Sequence, residues 1–328
     1  MPKVSVVMSV YNEHLDWIQQ AIDSILTQTF TDFELILIND NPGKKELRDF
    51  LEHSASADSR IKIITNAHNI GLTKSLNIGI AQAKAEYIVR MDADDISMPN
   101  RLQVQLDYME SHPEVDVCGS WVRQFGDITW YSPPKLKVPE SHEQIAIQAV
   151  AYSPMVHPSV MIRMTRLSKP IYDEKFIKAQ DYALWGKLII QGCIFYNIPK
   201  YLIKYRITGK SANADYRSKQ FHTSDIVRKN IMQNLYPEIG LTQTTLHNCI
   251  CNEQPCDIKE AEKWLLELRQ QLKNYNPNES EFISFLIARL WKNINIVNGI
   301  SFRRYRKSQL TDKISIHDLL QFAKHGLF

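Results

Sequence analysis

The densest set of groups able to do chemistry is Met91-Asp92-Ala93-Asp94-Asp95, a carboxylate cluster that directly follows an apolar run. Hard carboxylate oxygens at this spacing suit Mg²⁺ or Mn²⁺, and such an ion acts as a Lewis acid that neutralises a departing diphosphate. An acidic turn that merely caps the next helix has the same composition. The distinction lies in the company it keeps, because polar groups recur in Ser9-Val10-Tyr11-Asn12-Glu13, in Ile38-Asn39-Asp40 and in Asn69-Ile70-Gly71-Leu72-Thr73-Lys74. Farther on, Lys178-Ala179-Gln180-Asp181-Tyr182-Ala183-Leu184-Trp185 holds a carboxylate, Asp181, able to take a proton from a hydroxyl or to cap a helix. His157, in Met155-Val156-His157-Pro158-Ser159, offers an imidazole that fits either a metal site or a satisfied structural position.

These residues need a scaffold, and the sequence predicts one. Val4 to Val10, Phe33 to Ile38, Ile61 to Ile64 and Tyr87 to Met91 are near-continuous apolar runs, as expected for strands covered on both faces. Helical spacing separates them, in Leu15-Ile18-Ile22-Ile25-Leu26 and Leu72-Leu76-Ile80, while Pro99 suits a helix start before Leu102 to Met109. The alternation predicts an α/β fold with a mostly parallel sheet and helices on both faces. Ligands bind outside the carboxyl ends of such strands, where all four polar strings stand. From about residue 120 to 206 the pattern is mixed, with β-rich pieces at Ser159 to Ile162 and Tyr201 to Tyr205 and a helix over Asp181 to Ile190. Beyond Thr208 it reads as helices, including Ile258 to Leu272 and Phe282 to Ile296, broken by Pro237, Pro255 and Pro277. The expected division is therefore a 1–210 domain and a helical 211–328 extension.

Taken together, the four strand-end strings resemble glycosyltransferase family 2, whose strands end in Pro-x-Tyr-Asn, Asp-Asp-Gly-Ser, Asn-x-Gly and Asp-x-Asp-Asp. The resemblance covers about residues 3 to 206. It implies a GT-A fold, with 1–120 binding a nucleotide sugar and 121–210 forming the acceptor side, and an inverting, metal-dependent transfer from a UDP-sugar. By this similarity Ser9, Val10, Tyr11, Glu13, Asp40, Asn69, Lys74, Asp92, Ala93 and Asp94 line the donor. Tyr11 packs on the uracil and Asp40 accepts from it, Glu13 reaches the ribose, and Lys74 lies near the base or diphosphate. Asp92 touches the ribose, Asp94 ligates Mn²⁺ or Mg²⁺ with His157 beside it, and Asp181 is the base. Arg101 supports the acidic loop or approaches the donor, and Trp121 and Trp185 form a stacking surface for an acceptor sugar. The chain departs from the pattern at Ser9, Asn39, Asn41-Pro42 and Gln180. The last removes a second candidate base, since an amide takes no proton near neutral pH.

Arg90-Met91-Asp92-Ala93-Asp94-Asp95 with Asn100-Arg101-Leu102 also resembles transferases of O-antigen and lipopolysaccharide outer-core assembly. That implies a lipid-linked or lipopolysaccharide acceptor, a β linkage (β-1,3 in several relatives), and glucose or galactose as the first expected sugar. A sugar-nucleotide hydrolase or pyrophosphorylase, or a non-catalytic nucleotide-sugar-binding module, could share the metal and the uridine cleft. Neither requires Asp181 facing an acceptor.

Bulk properties narrow the partners. A net charge of +3, without a Lys/Arg arm in the first two hundred residues, argues against a nucleic-acid groove. No secretory signal opens the chain, and no apolar run reaches the roughly 18 to 20 residues of a membrane span, so a cytoplasmic protein with at most peripheral membrane contact is expected. Five scattered cysteines fit reduced thiols, and His247, Cys249, Cys251 and Cys256 lack the paired spacing of structural zinc sites. Phe302-Arg303-Arg304-Tyr305-Arg306-Lys307 is a basic cluster suited to an anionic leaflet or to a solvated helix end.

Overall fold

The computed structural model of the 328-residue chain describes residues 1–127, 134–208, 214–237, 243–311 and 316–327. The chain divides into two compact units, one of Met1–Ile145 with Ser153–Thr223 and the other of Ala146–Tyr152 with Ser224–Phe328.

The first unit is built on a sheet of β1 (Val4–Val10), β2 (Phe33–Asn39), β3 (Ile61–Thr65), β4 (Tyr87–Asp92), β5 (Ile96–Ser97), β6 (Val115–Gly126), β7 (Lys135–Leu136), β8 (Met161–Arg163) and β9 (Ile194–Ile207). Their order is β3-β2-β1-β4-β8-β6-β9-β5, with β7 paired to β6. β1 runs parallel to both β2 and β4, so successive connections leave it in opposite directions. This makes the carboxyl ends of β1 and β4 the topological switch point, where an open α/β sheet leaves a crevice. The helices are α1 (Leu15–Leu26), α2 (Lys45–Ala57), α3 (Leu72–Gln82), α4 (Arg101–Ser111), the first half of α5 (His142–Ala149) and α6 (Gln180–Ile190).

Amphipathic spacing explains how they cover the strands. α1 buries Ile18, Ala21, Ile22 and Ile25, a stripe at helical period, against a core that includes Val4, Val6, Met8 and Val10. Each of the three buried isoleucines contributes about 1.5–3 kcal/mol. α3 lies close on the sheet at Gly79, where a Cβ would meet Ile38 Cδ1 at 2.7 Å and Val7 Cγ1 at 2.8 Å. The four expected apolar strands are present, three of them one residue longer than expected. The helix after Pro99 starts at Arg101, with Asn100 as its N-cap residue. Sequence reasoning passed over α2, which buries only Leu47, Leu51 and Ser54, and foresaw little of β6 and β9. These two pair in parallel with register shifts near Trp121, and exposed Lys200 and Lys204 interrupt the apolar pattern of β9.

The second unit is helical: α7 (Ala214–Leu235), whose first part belongs to the first unit, then α8 (Thr244–Cys251), α9 (Ile258–Tyr275), α10 (Ser280–Val297), α11 (Phe302–Tyr305) and α12 (Ile316–Lys324). Residue 210, where the boundary was expected, lies outside the described residues, and the division falls within α7. Asp257 caps α9 by accepting from Lys259 N at 2.8 Å and Glu260 N at 3.0 Å. Ala146–Tyr152 is held inside this unit because Arg228 donates to Ala151 O at 3.1 Å and His247 Nε2 pairs with Val150 O at 2.8 Å. The other ring nitrogen of His247 accepts from Trp264 Nε1 at 3.2 Å, so this buried histidine has no nitrogen left for zinc. Burial lowers its pKa to about 4. All five cysteines are free. No described helix is long and apolar enough to cross a membrane.

Candidate active site at the carboxyl ends of β1 and β4

β1 and β4 are in register at Ser9 and Asp92, so the loops beyond the two strands emerge side by side. After β1 the backbone is tied down. Val10 O accepts from Asp40 N at 2.9 Å, Tyr11 O accepts from Asn41 Nδ2 at 3.1 Å, and Tyr11 N donates to Glu13 Oε2 at 2.9 Å. The Val10 side chain is buried, and the Tyr11 ring remains 47% exposed on this fixed turn.

Asp40, at the end of β2, is 2% exposed. Its Oδ1 accepts from Asn66 Nδ2 at 2.8 Å and Ile70 N at 2.9 Å, and its Oδ2 accepts from Gly71 N at 3.0 Å. Gly71 starts α3 at φ +85°, a left-handed conformation that needs glycine. Asp40 thus organises the Asn69-Ile70-Gly71 loop, and of its lone pairs one on Oδ2 is left to accept another donor. Asn69 and Lys74 are exposed on that loop and the first turn of α3.

The acidic turn after β4 is arranged differently. Asp92 forms an ion pair with Arg90, a buried guanidinium whose Nε has no hydrogen-bond partner. Asp92, Asp94 and Asp95 each present an oxygen within 4.8 Å of the others. Burial, then the charges of Asp92 and Glu13, raise the Asp94 pKa to about 6. Asp95 is 1% exposed, and burial followed by the Asp92 charge raises it to about 9. Its Oδ1 accepts from Arg206 N at 2.7 Å, while Oδ2 is buried without a partner. Like charges crowded out of water, with an orphaned acceptor among them, fit a hard divalent cation. Ala93 is buried between them.

Arg206, on β9, holds the turn from outside. Its Nε donates to Asp94 O at 2.7 Å and its Nη2 to Gln20 Oε1 at 2.9 Å, with the guanidinium 4.6 Å from the Trp17 ring centre and 4.3 Å from that of Phe125. From beneath, fully buried Arg101 donates to Arg90 O at 3.0 Å and to Gln105 Oε1 at 2.8 Å.

Asp181 occupies the first turn of α6, behind Ala179, the N-cap residue, which has φ 51° and no capping side chain. Asp181 is therefore not the cap. Its carboxyl accepts from backbone N–H groups of that turn, burial raises its pKa, and the charges of Arg90 and Asp92 reach it.

Two expectations are corrected. Trp185 is 0% exposed, with edge contacts at 6.1 Å to His157 and 6.2 Å to Phe195, so it is core and offers no surface to a sugar. His157 is buried, its Nε2 lies 2.6 Å from Tyr172 Oη, and it is not part of the carboxylate group; burial lowers its pKa well below the usual range. A neutral imidazole in the core, paired to a phenol, replaces the expected ligand. Trp121 is half-buried, donates to Val138 O at 3.1 Å and carries Lys137 4.6 Å from its ring centre.

Residues 5–169, which include all four strand ends, match the family described as Glycosyl transferase family 2. The chain belongs to glycosyltransferase family 2. Among the relatives of this family 2 enzyme, an uncharacterised glycosyltransferase of Methanocaldococcus jannaschii is 36% identical over 64% of this chain and 72% of its own. A UDP-Gal:α-D-GlcNAc-diphosphoundecaprenol β-1,3-galactosyltransferase of Escherichia coli is 31% identical over 64% of this chain and 76% of its own. The fold is shared with the mannosyltransferase PcManGT from Pyrobaculum calidifontis, solved with GDP-Man and Mn²⁺, at a TM-score of 0.55 and 14% identity, covering 89% and 87% of the two chains. This family 2 chain is thus a glycosyltransferase that takes sugar from a nucleotide sugar, with a DXD-like acidic cluster at Asp92 to Asp95.

Sequence reasoning did not assign roles to Arg90, Asp95, Tyr172 or Arg206. A charged residue in the apolar β4 run was a readable signal for Arg90, since a guanidinium buried on both faces needs an acidic partner. Asp95 was legible as the third member of its run. Nothing local marks Arg206, which reaches the site through the pairing of β5 with β9.

Proposed function

We propose that this chain transfers a hexose, glucose or galactose, from a UDP-sugar to a lipid-linked or lipopolysaccharide glycan, with inversion to a β linkage. The reading rests on one observation above all: in a family 2 chain, Asp92, Asp94 and Asp95 bring carboxylate oxygens within 4.8 Å of one another after β4, and Asp95 Oδ2 is buried without a partner. The turn would hold Mn²⁺ or Mg²⁺ through Asp94, and such an ion, when bound, stabilises charge on the leaving diphosphate. Asp181 takes the proton of the acceptor hydroxyl. That oxygen forms its bond to the anomeric carbon as the bond from that carbon to the diphosphate oxygen breaks, and the electron pair leaves with UDP. A carboxylate of raised pKa is a better base than a solvated one.

For the donor, Tyr11 gives an exposed ring for stacking, and the remaining lone pair of Asp40 Oδ2 suits the N3–H of uracil. The E. coli relative, named for UDP-Gal and a diphosphoundecaprenol-linked acceptor, supports the uridine donor, the β linkage and the lipid carrier. Exposed Arg303, Arg304, Arg306 and Lys307 would favour an anionic leaflet where such acceptors reside. The test is calorimetric titration with UDP, with and without Mn²⁺, against GDP, CDP and TDP. Metal-dependent preference for UDP is expected. Tighter binding of GDP, the nucleotide of the Pyrobaculum complex, or binding indifferent to metal, would overturn the donor assignment.

A further inference from the structure

We propose that Thr73 and Asn77 of α3 are positioning residues for the transfer: they strap the chain that carries Asp181 to the helix that follows the Asn69-Ile70-Gly71 loop. The inference rests on the reading of Asp181 as the base.

From Leu167 to Ala179, the run that delivers Asp181, the chain forms neither helix nor strand, so its backbone groups need partners from elsewhere. It is fastened along α3 at three successive points. Lys169 Nζ donates to Ala83 O at 3.3 Å, just past the carboxyl end of the helix. Asn77 then pairs with both backbone groups of one residue: Nδ2 donates to Tyr172 O at 3.0 Å, and Oδ1 accepts from Tyr172 N at 3.1 Å. Asn77 Nδ2 also lies 3.4 Å from Glu174 Oε1. Nearer the amino end, Thr73 Oγ1 donates to Phe176 O at 3.0 Å. As the segment advances from Lys169 through Tyr172 to Phe176, its anchors retreat from Ala83 through Asn77 to Thr73. It therefore runs antiparallel to α3, toward the end of the helix that Gly71 opens against Asp40, and Asp181 follows five residues past Phe176.

Thr73 and Asn77 stand one turn apart on the same face of α3 and are 6% and 7% exposed. Threonine and asparagine are poor residues for a helix interior, where alanine or leucine would cost less. What they add is a hydroxyl and an amide that match the segment. Tyr172, 2% exposed, is fixed at its phenol as well, by His157. Burial raises the pKa of that phenol and the Asp181 charge adds to the rise, so the phenol and the proposed base are neighbours. No side chain caps α6 at Ala179, so the place where the helix starts depends on the chain that enters it. Freeing the segment lets Asp181 move relative to the donor, and a displacement of about 1 Å costs about 10²-fold in rate.

Hydrogen exchange read by mass spectrometry on the full-length, ligand-free chain tests the strap. Asn77→Ala should speed exchange in peptides over residues 170–182 by about tenfold and leave those over β1 and β4 unchanged. Thr73→Val, which keeps the shape and loses the hydroxyl, should do the same to a smaller extent, and Thr73→Ser should not. Positioning is read from the release of UDP from UDP-galactose and UDP-glucose with Mn²⁺, water standing in for the acceptor hydroxyl. Asn77→Ala should lower kcat about 10- to 100-fold and leave calorimetric UDP affinity within about twofold of the wild type. In an Asp181→Asn background the same substitution should change the rate by less than about twofold, because the group it positions is gone. Wild-type exchange over 170–182 in Asn77→Ala, or an equal fold-loss of rate in both backgrounds, would overturn the proposal. A wild-type rate in Asp181→Asn would sink the reading of the base itself, and the strap would then stand or fall on exchange alone.

Discussion

Asp40 follows β2, and Asp94 and Asp95 follow β4, so the two sets of carboxylates flank β1 at the same edge of one sheet. Asp40 and Asp95 are equally withdrawn from water. Asp40 accepts from one side-chain amide and two backbone N–H groups, and those bonds shape the loop that opens α3. Asp95 accepts from one backbone N–H and leaves Oδ2 unpaired, while burial and a like charge raise its proton affinity. Burial alone therefore does not separate structural from chemical carboxylates. What separates them is whether the chain has supplied their partners: a satisfied carboxylate builds a loop, and an unsatisfied one awaits a ligand.

The comparison is tested most strongly at Asp181, whose carboxyl accepts from backbone N–H groups of its turn and is nevertheless the proposed base. Asp181→Asn should reduce turnover by about 10²–10⁴-fold while sparing UDP binding and melting temperature, as read from single-turnover kinetics beside calorimetry. Full transfer by this variant would remove Asp181 from the chemistry. Asp40→Ala should instead cost stability, along with UDP affinity. It leaves Asn66 Nδ2, Ile70 N and Gly71 N without their acceptor, a loss of about 3–5 kcal/mol in urea unfolding. If instead the variant is as stable as the wild type, the loop does not depend on that carboxylate.

Arg206→Ala probes the boundary between the two kinds of role. Arg206 touches the acidic turn through the Asp94 carbonyl and through its own backbone N–H, and only the first contact is lost on substitution. A turn allowed to drift should weaken Mn²⁺-dependent donor binding and kcat by about tenfold. Arg206→Lys, which keeps the charge and loses the fork, should recover only part of it. An equal loss of Mn²⁺-independent UDP affinity would mean that Arg206 acts on the nucleotide and not through the turn.

Much of this was legible in the sequence, and the rest was hidden for physical reasons. Strands β1 to β4 announce themselves because a parallel strand is apolar on both faces, and their ends carry the polar strings that form the switch point. Side-chain partnership is invisible to such reading. Trp185 looks like a sugar platform in sequence and proves to be core, because only packing against His157 and Phe195 decides which face of α6 turns inward. His157 looks like a ligand until Tyr172 is found against its Nε2. Arg206 comes to the acidic turn from 111 residues beyond Asp95 along β9, a strand whose lysines mask its pattern.

The smallest effect, counted per pH unit, is also the most direct reading of the unsatisfied turn. An ordinary aspartate loses its proton near pH 4, whereas folded Asp95 holds its proton to about 9. Between those values the native chain binds more protons than the unfolded chain, so stability must fall as pH rises through that window. Asp94, raised to about 6, adds to the fall only in its lower part. Metal-free protein should therefore lose roughly 1 kcal/mol per pH unit between about pH 5 and 8, followed by urea unfolding. Asp95→Asn has no proton to lose and should flatten the slope, and Mn²⁺ should flatten it in the wild type by favouring the ionised carboxylates. A metal-free wild type whose stability is level or rising across this range would mean that Asp95 is ionised in the fold, and the contrast with Asp40 would then rest on the orphaned Oδ2 alone.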